Sequence, residues 1–213
     1  MEIFGAVTPG ALELRRTNDG GARITGRFPY NTLAVIHDGG RAGGRPQKER
    51  IAAGAFRYRV QDPEKEIHLL LGHDWDHPLA SKLTRTLDLT DTDQALTFTA
   101  RITPEVAETS HGRDALALIA SGLAYGVSPG FRIPPPRTVS PEEAESFEDE
   151  GTRPDEGAHN ARIRTIKQAL LYEMSIVTRP AYKESAVDMA RAQAALIDPR
   201  PALIRHPLNR WRP

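Results

Sequence analysis

Short stretches in which apolar and polar residues alternate, each closed by a turn signal, restrict this chain more than any other feature of its sequence. Residues 11–30 hold two of them: ALELRR, then the turn NDGG, then ARITGRFPY. Alternation with period two puts one face of a strand on a core, and Asp-Gly tolerates the positive φ of a tight turn, so this segment predicts a hairpin. EIHLLLGHD predicts a further strand, with an apolar run from Ile67 to Leu71 that ends at a polar cluster. Residues 78–103 alternate again and predict two or three strands, with a turn near Asp91–Gln94. LAYGVSPGF (123–131) predicts a strand with glycines on either side of Ser128, and residues 161–182 predict one or two more.

Helical signals are fewer. Thr103-Pro104-Glu105 resembles a cap with Pro at the first helical position, Gly112 is expected to divide the segment, and Gly122 to end it. Residues 183–197 carry a helix pattern. Many strands, few helices and no regular βαβ alternation predict an α+β protein built mainly on an antiparallel sheet or barrel. The glycine-rich HDGGRAGG (37–44) lacks the Gly-Lys-Ser/Thr of a phosphate loop and reads as a plain loop. Residues 133–160 hold five prolines and eight acidic side chains with little apolar surface, and are expected to form a mobile surface insertion. Residues 191–213, with five arginines against one Asp, are expected to form an extended basic tail.

Composition removes several function classes. Lys plus Arg (28) equals Asp plus Glu (28), so no global charge points to nucleic acid or to an anionic membrane. The absence of cysteine excludes disulfides, thiol catalysis and thiolate metal sites. The N-terminus lacks the pattern of a signal peptide, and no apolar run approaches the roughly 20 residues that span a bilayer. A cytoplasmic protein is expected.

Three segments place a reactive side chain where a fold can expose it. In LLLGHD, His73 emerges at the end of an apolar strand, and an imidazole titrating near neutrality suits a general base. In YGVSPGF, Ser128 lies between Gly126 and Gly130, where the backbone can approach a substrate closely. A serine hydroxyl is a weak nucleophile unless a base takes its proton. In LLYEMSIV, Glu173 interrupts an apolar strand, where a carboxylate is costly without a partner. That partner is either a catalytic His or an ordinary cation such as Arg162, Arg164 or Lys167.

Taken together and in this order, these segments resemble the prohead protease family of HK97-like phages, also found in gene transfer agents. The resemblance runs from about residue 22 to residue 189. Its motifs are GAF (54–56), LLLGHD (69–74) with PLA (78–80), LTFTARI, GVSPGF (126–131) and RTI…ALLYEMSIVTRPAY (164–182). It implies a protease domain over residues 1–190 followed by the tail 191–213. It implies a fold similar to the herpesvirus assemblins, a β-barrel ringed by helices and often homodimeric. It implies a serine endopeptidase that cleaves scaffold and major capsid protein inside the procapsid, in the bacterial cytoplasm, cleaves itself, and uses no cofactor. By position, His73 matches the family's general base, Ser128 its nucleophile and Glu173 its third member.

Two other readings stand beside it. His68, His73, Asp74, Asp76 and His77, with His111 or His159 from elsewhere, offer metal ligands for a hydrolase. A non-enzymatic capsid or scaffold component would need no chemistry from Ser128.

Overall fold

The computed structural model describes residues 12–39, 44–153, 155 and 158–180. The predicted C-terminal helix and basic tail lie outside them. The chain opens with strands β1 (Leu12–Arg16), β2 (Ala22–Pro29), β3 (Ala34–His37) and β4 (Gln47–Ile51), then helix α1 (Arg57–Gln61). Strands β5 (His68–Leu71), β6 (Asp74–Ser81), β7 (Leu87–Asp91) and β8 (Ala95–Ile102) follow, then α2 (Pro104–Glu108) and α3 (Ser110–Ala120). The remainder is β9 (Gly126–Arg132), α4 (Pro141–Ala144), β10 (Glu145–Asp149), β11 (Thr152–Arg153), β12 (Ala158–His159), β13 (Arg162–Ile166) and β14 (Leu170–Val177).

The strands form three four-stranded sheets, ordered β1-β2-β8-β7, β10-β13-β4-β3 and β6-β5-β14-β9, and the two-stranded ribbon β11-β12. The protein is thus mostly β with a few short helices, as the alternation predicted. The expected barrel is corrected: the sheets are open, and no closed barrel forms among the described residues. The expected antiparallel order is also incomplete, because β13 pairs with β4 in parallel and β14 pairs with β5 in parallel. A parallel pair needs a long crossover. Here the partners lie about a hundred residues apart, so nothing local in either strand announces them.

Period-two patterning places the core as predicted. In β2, Ala22, Ile24 and Phe28 are buried while Arg23 and Arg27 face water. The turn before it is closed by Asp19, whose Oδ1 accepts hydrogen bonds from Thr17 Oγ1 and the Gly21 N–H. Phe28, Tyr30, Phe56 and Phe131 pack with ring centroids 5.7 to 6.3 Å apart, joining β2, the approach to α1 and β9. Burying each such ring removes on the order of 2–3 kcal/mol of apolar exposure from water. Thr103 caps α2 and Pro104 is its first residue, as predicted. The helix divides at Thr109 rather than at Gly112: the Thr109 hydroxyl caps α3 by accepting from the Gly112 N–H. Gly122, at φ +70°, follows α3.

Residues 133–160 require the largest correction. The expected mobile insertion contains a capped turn of helix and a strand. Ser140 and Glu143 form a reciprocal capping box on α4, and β10 pairs along its length with β13. Four of the acidic side chains that argued for disorder, Glu145, Glu148, Asp149 and Glu150, find cations on or beside neighbouring strands. Arg164 bridges Glu145 and Glu49, at 2.6 and 3.1 Å. Arg50 meets Glu148 at 2.7 Å, Arg45 meets Asp149, and Lys48 pairs with Glu150. Single exposed pairs contribute about 0–1 kcal/mol, but a row of them selects one register. Composition counted the negative charges without the basic residues of β4 and β13, a hundred positions away for β4.

The network makes a test. Arg164→Ala removes the cation shared by two carboxylates, so amide hydrogen exchange across 145–149 is expected to accelerate more than in β2 or β8. Equal exchange in wild type and variant would show that the charges do not hold β10.

Candidate functional site

The central strand of the third sheet carries the site. In β14, Leu171, Met174 and Ile176 are buried, as befits a strand covered on both faces, and its buried polar residues are Glu173 and Ser175. Residues two apart share a face. On the antiparallel neighbour β9, Gly130 lies opposite Glu173 and Ser128 opposite Ser175. Directly opposed residues have Cβ atoms about 4.5–5.5 Å apart. Ser128, Glu173 and Ser175 therefore share one surface. Gly130 makes room for the carboxylate: a Cβ built there would stand 1.9 Å from Glu173 Oε1.

His73 reaches this surface from the β5–β6 turn. Leu71 pairs with Asp74, leaving a two-residue turn in which Gly72 and His73 have φ of +67° and +63°. Positive φ at both central residues is the signature of a type I′ hairpin turn, normally filled by Asn-Gly or Gly-Gly. A non-glycine residue there costs on the order of 1–3 kcal/mol unless its surroundings hold it. Three hydrogen bonds do so. The Gly72 N–H donates to the Ile176 carbonyl at 2.9 Å, the His73 N–H donates to Ser175 Oγ at 2.9 Å, and His73 Nδ1 meets Glu173 Oε1 at 2.6 Å. Ser175 Oγ donates in turn to Glu173 Oε2 at 2.8 Å.

The electrostatics follow from this arrangement. The Glu173 side chain is 5% exposed and that of His73 is 44% exposed. A carboxylate only accepts, so Nδ1 carries the hydrogen and Nε2 of the neutral ring is left as an acceptor, without a hydrogen-bond partner among the described residues. The hydrogen bond to Glu173 raises the His73 pKa above its ordinary value; burial opposes this, and the charge of Glu173 adds to it. The Ser128 hydroxyl is partly buried and makes no hydrogen bond to His73. Hydrogen bonds to a nucleophile are often long or unformed until substrate arrives.

The alternative partners of Glu173 are engaged elsewhere. Arg164 serves Glu49 and Glu145, Arg162 lies over the Phe147 ring, and Lys167 Nζ donates to the Glu142 carbonyl. The histidines and aspartates of HDWDH also disperse. The His68 ring meets Trp75 edge-on, and His77 pairs with Asp74 and stacks on His111 at 5.3 Å. The Asp76 N–H donates to Asp74, and His159 lies on the β11–β12 ribbon. Among the described residues, no three His, Asp or Glu side chains gather as a metal-holding set. Residues 162–166 lie in the second sheet, flanked by β4 and β10.

A family model described as caudovirus prohead serine protease matches residues 40–198 of the 213. The chain belongs to that family. The match spans the turn that carries His73, the β9 strand with Ser128 and the β14 strand with Glu173. No curated protein and no solved structure matches the chain significantly.

Sequence reasoning missed two members of this arrangement. Ser175 is fully buried between Glu173 and the His73 backbone, and its only signal was a polar residue two positions from Glu173 in an apolar strand. The second is the conformation of His73. Gly-His between two strand-like runs is a two-residue turn, but its register required β6 to begin at Asp74.

The close approach of β9 to the carboxylate is testable. Gly130→Ala is expected to displace Glu173 and destabilise the fold by about 1–3 kcal/mol, the usual penalty for overpacking. Chemical denaturation would read the stability, and unaltered stability would mean that the strand moves freely aside.

Proposed function

We propose that this protein is a serine endopeptidase of prohead maturation, with Ser128 as nucleophile, His73 as general base and Glu173 as the residue that orients and charges the base. One observation carries the reading: the 2.6 Å contact between His73 Nδ1 and the buried Glu173, on the sheet face that also holds Ser128. A carboxylate on Nδ1 selects the tautomer whose Nε2 accepts a proton. An ordinary ion pair would not need a histidine in a positive-φ turn.

The chemistry runs in two halves. His73 Nε2 takes the Ser128 hydroxyl proton as Oγ bonds to the scissile carbonyl carbon. The negative charge that develops on the carbonyl oxygen needs backbone N–H donors. The C–N bond then breaks, His73 returns the proton to the leaving amine, and the acyl group remains on Ser128. Water repeats the sequence: His73 takes its proton, the hydroxyl attacks the acyl carbon, and Ser128 regains its hydrogen. Glu173 keeps its hydrogen bond to Nδ1 and stabilises the imidazolium formed in each half.

Family membership supports capsid proteins as the substrate class. The finer reading is that the enzyme trims the major capsid protein, degrades scaffold and cleaves itself inside the procapsid in the host cytoplasm, without a cofactor. The protease domain then comprises residues 1–190 and the basic segment 191–213 forms a separable tail. No helix among the described residues is long and apolar enough to cross a membrane.

Ser128→Ala is expected to abolish cleavage of co-expressed capsid protein and labelling by a fluorophosphonate, with stability changed by less than about 1 kcal/mol because the side chain is only partly buried and its hydroxyl makes no hydrogen bond among the described residues. A folded variant that still processes capsid protein would overturn the assignment. The base must be neutral to act, so activity rises as pH climbs through the His73 pKa. Because that pKa is raised, the acid limb lies above about 6.5, the ordinary histidine value. Glu173→Gln removes the principal raising cause. The limb should move to lower pH while the maximal rate falls on the order of 10²–10⁴-fold. A pH–rate profile of labelling checks both, and a limb that stays in place would separate Glu173 from the base.

A further inference from the structure

We propose that Ser175 is a positioning residue that locks the base, a role that rests on the Ser128–His73–Glu173 reading. Three residues close a ring of hydrogen bonds. Glu173 Oε1 holds His73 Nδ1, Ser175 Oγ donates to Glu173 Oε2, and the same Oγ accepts the His73 backbone N–H. A hydroxyl has one hydrogen to give and lone pairs to accept with, so both of its bonds form at once.

The ring does two things that neither bond does alone. It fixes the second oxygen of Glu173, which prevents the carboxylate from rotating about its Cγ–Cδ bond away from the imidazole. It also gives the N–H of His73 a partner in a turn whose φ is +63°. An N–H in such a turn otherwise depends on water, and Ser175 is fully buried. Backbone and ring of the base are thereby tied to the same strand, β14, through residues two apart on one face. The orientation of the imidazole, and with it of Nε2, then depends on Ser175, although Ser175 bonds only the His73 backbone and Glu173.

Two variants test this. Ser175→Ala removes the hydroxyl, and Ser175→Cys fills the space with a thiol that donates and accepts weakly. Each is measured for inactivation by a fluorophosphonate, separating the rate of the chemical step from the affinity of the reagent. Proton NMR without reagent follows the downfield resonance expected of the His73 Nδ1–H in its short bond to Glu173. Both variants should lower the chemical rate about 10–100-fold, the scale at which an outer partner of a functional histidine acts, with affinity within about twofold. The downfield resonance should broaden or disappear. If Ser175→Ala does not fold, Ser175→Cys decides alone. Wild-type rate and resonance in the variants would overturn the proposal, as would a loss confined to affinity with the resonance intact. Labelling that persists in Ser128→Ala would instead defeat the underlying reading, and the resonance would still show whether Ser175 orders the ring.

Discussion

A carboxylate buried in the middle of an apolar strand must be given partners, since removing an ion from water without compensation costs several kcal/mol. Glu173 is that carboxylate, and the site is organised around it. Gly130 on β9 leaves the volume it occupies, His73 supplies a ring N–H to one oxygen, and Ser175 a hydroxyl to the other. The positive-φ turn that carries His73 is retained because Glu173 and Ser175 hold it from below. The same carboxylate raises the pKa of the imidazole. Structure and proposed chemistry therefore meet in one contact of 2.6 Å.

The rest of the fold holds β14 still. Its two neighbours come from distant parts of the chain, β5 in parallel and β9 antiparallel. Its entry is tied as well: the N–H groups of Lys167 and Gln168 donate to the Ala144 carbonyl, and that of Ala169 to the Ala55 carbonyl. Ala144 ends α4, so the acidic segment first read as an insertion helps to anchor the strand that bears Glu173. The ion pairs of β10 with Arg50 and Arg164 hold that segment against the second sheet.

Much of this was legible in the sequence. Alternation located β1, β2, β7 and β8 but not β4 or β10–β12, cap chemistry located α2, and an expensive carboxylate in an apolar run singled out Glu173. The ordered motifs pointed to the family that residues 40–198 match. The acidic segment was misread because a composition argument sees only the charges within a window. Its counter-charges sit on β4 and β13, which adjoin β10 only after the chain has folded.

The sequence by itself determined which residues were chemically able to act: a histidine at a strand end, a serine between glycines, a carboxylate with nowhere to hide. Period-two patterning is local, so it also determined that Glu173 and Ser175 share a face. Tertiary structure decided who their partners are. Choosing His73 over Arg164 for Glu173 required the parallel pairing of β5 with β14, a contact between segments a hundred residues apart. Opening the sheets rather than closing them into a barrel was decided the same way. Alternation states which side of a strand is buried, whereas strand order depends on which distant edges meet.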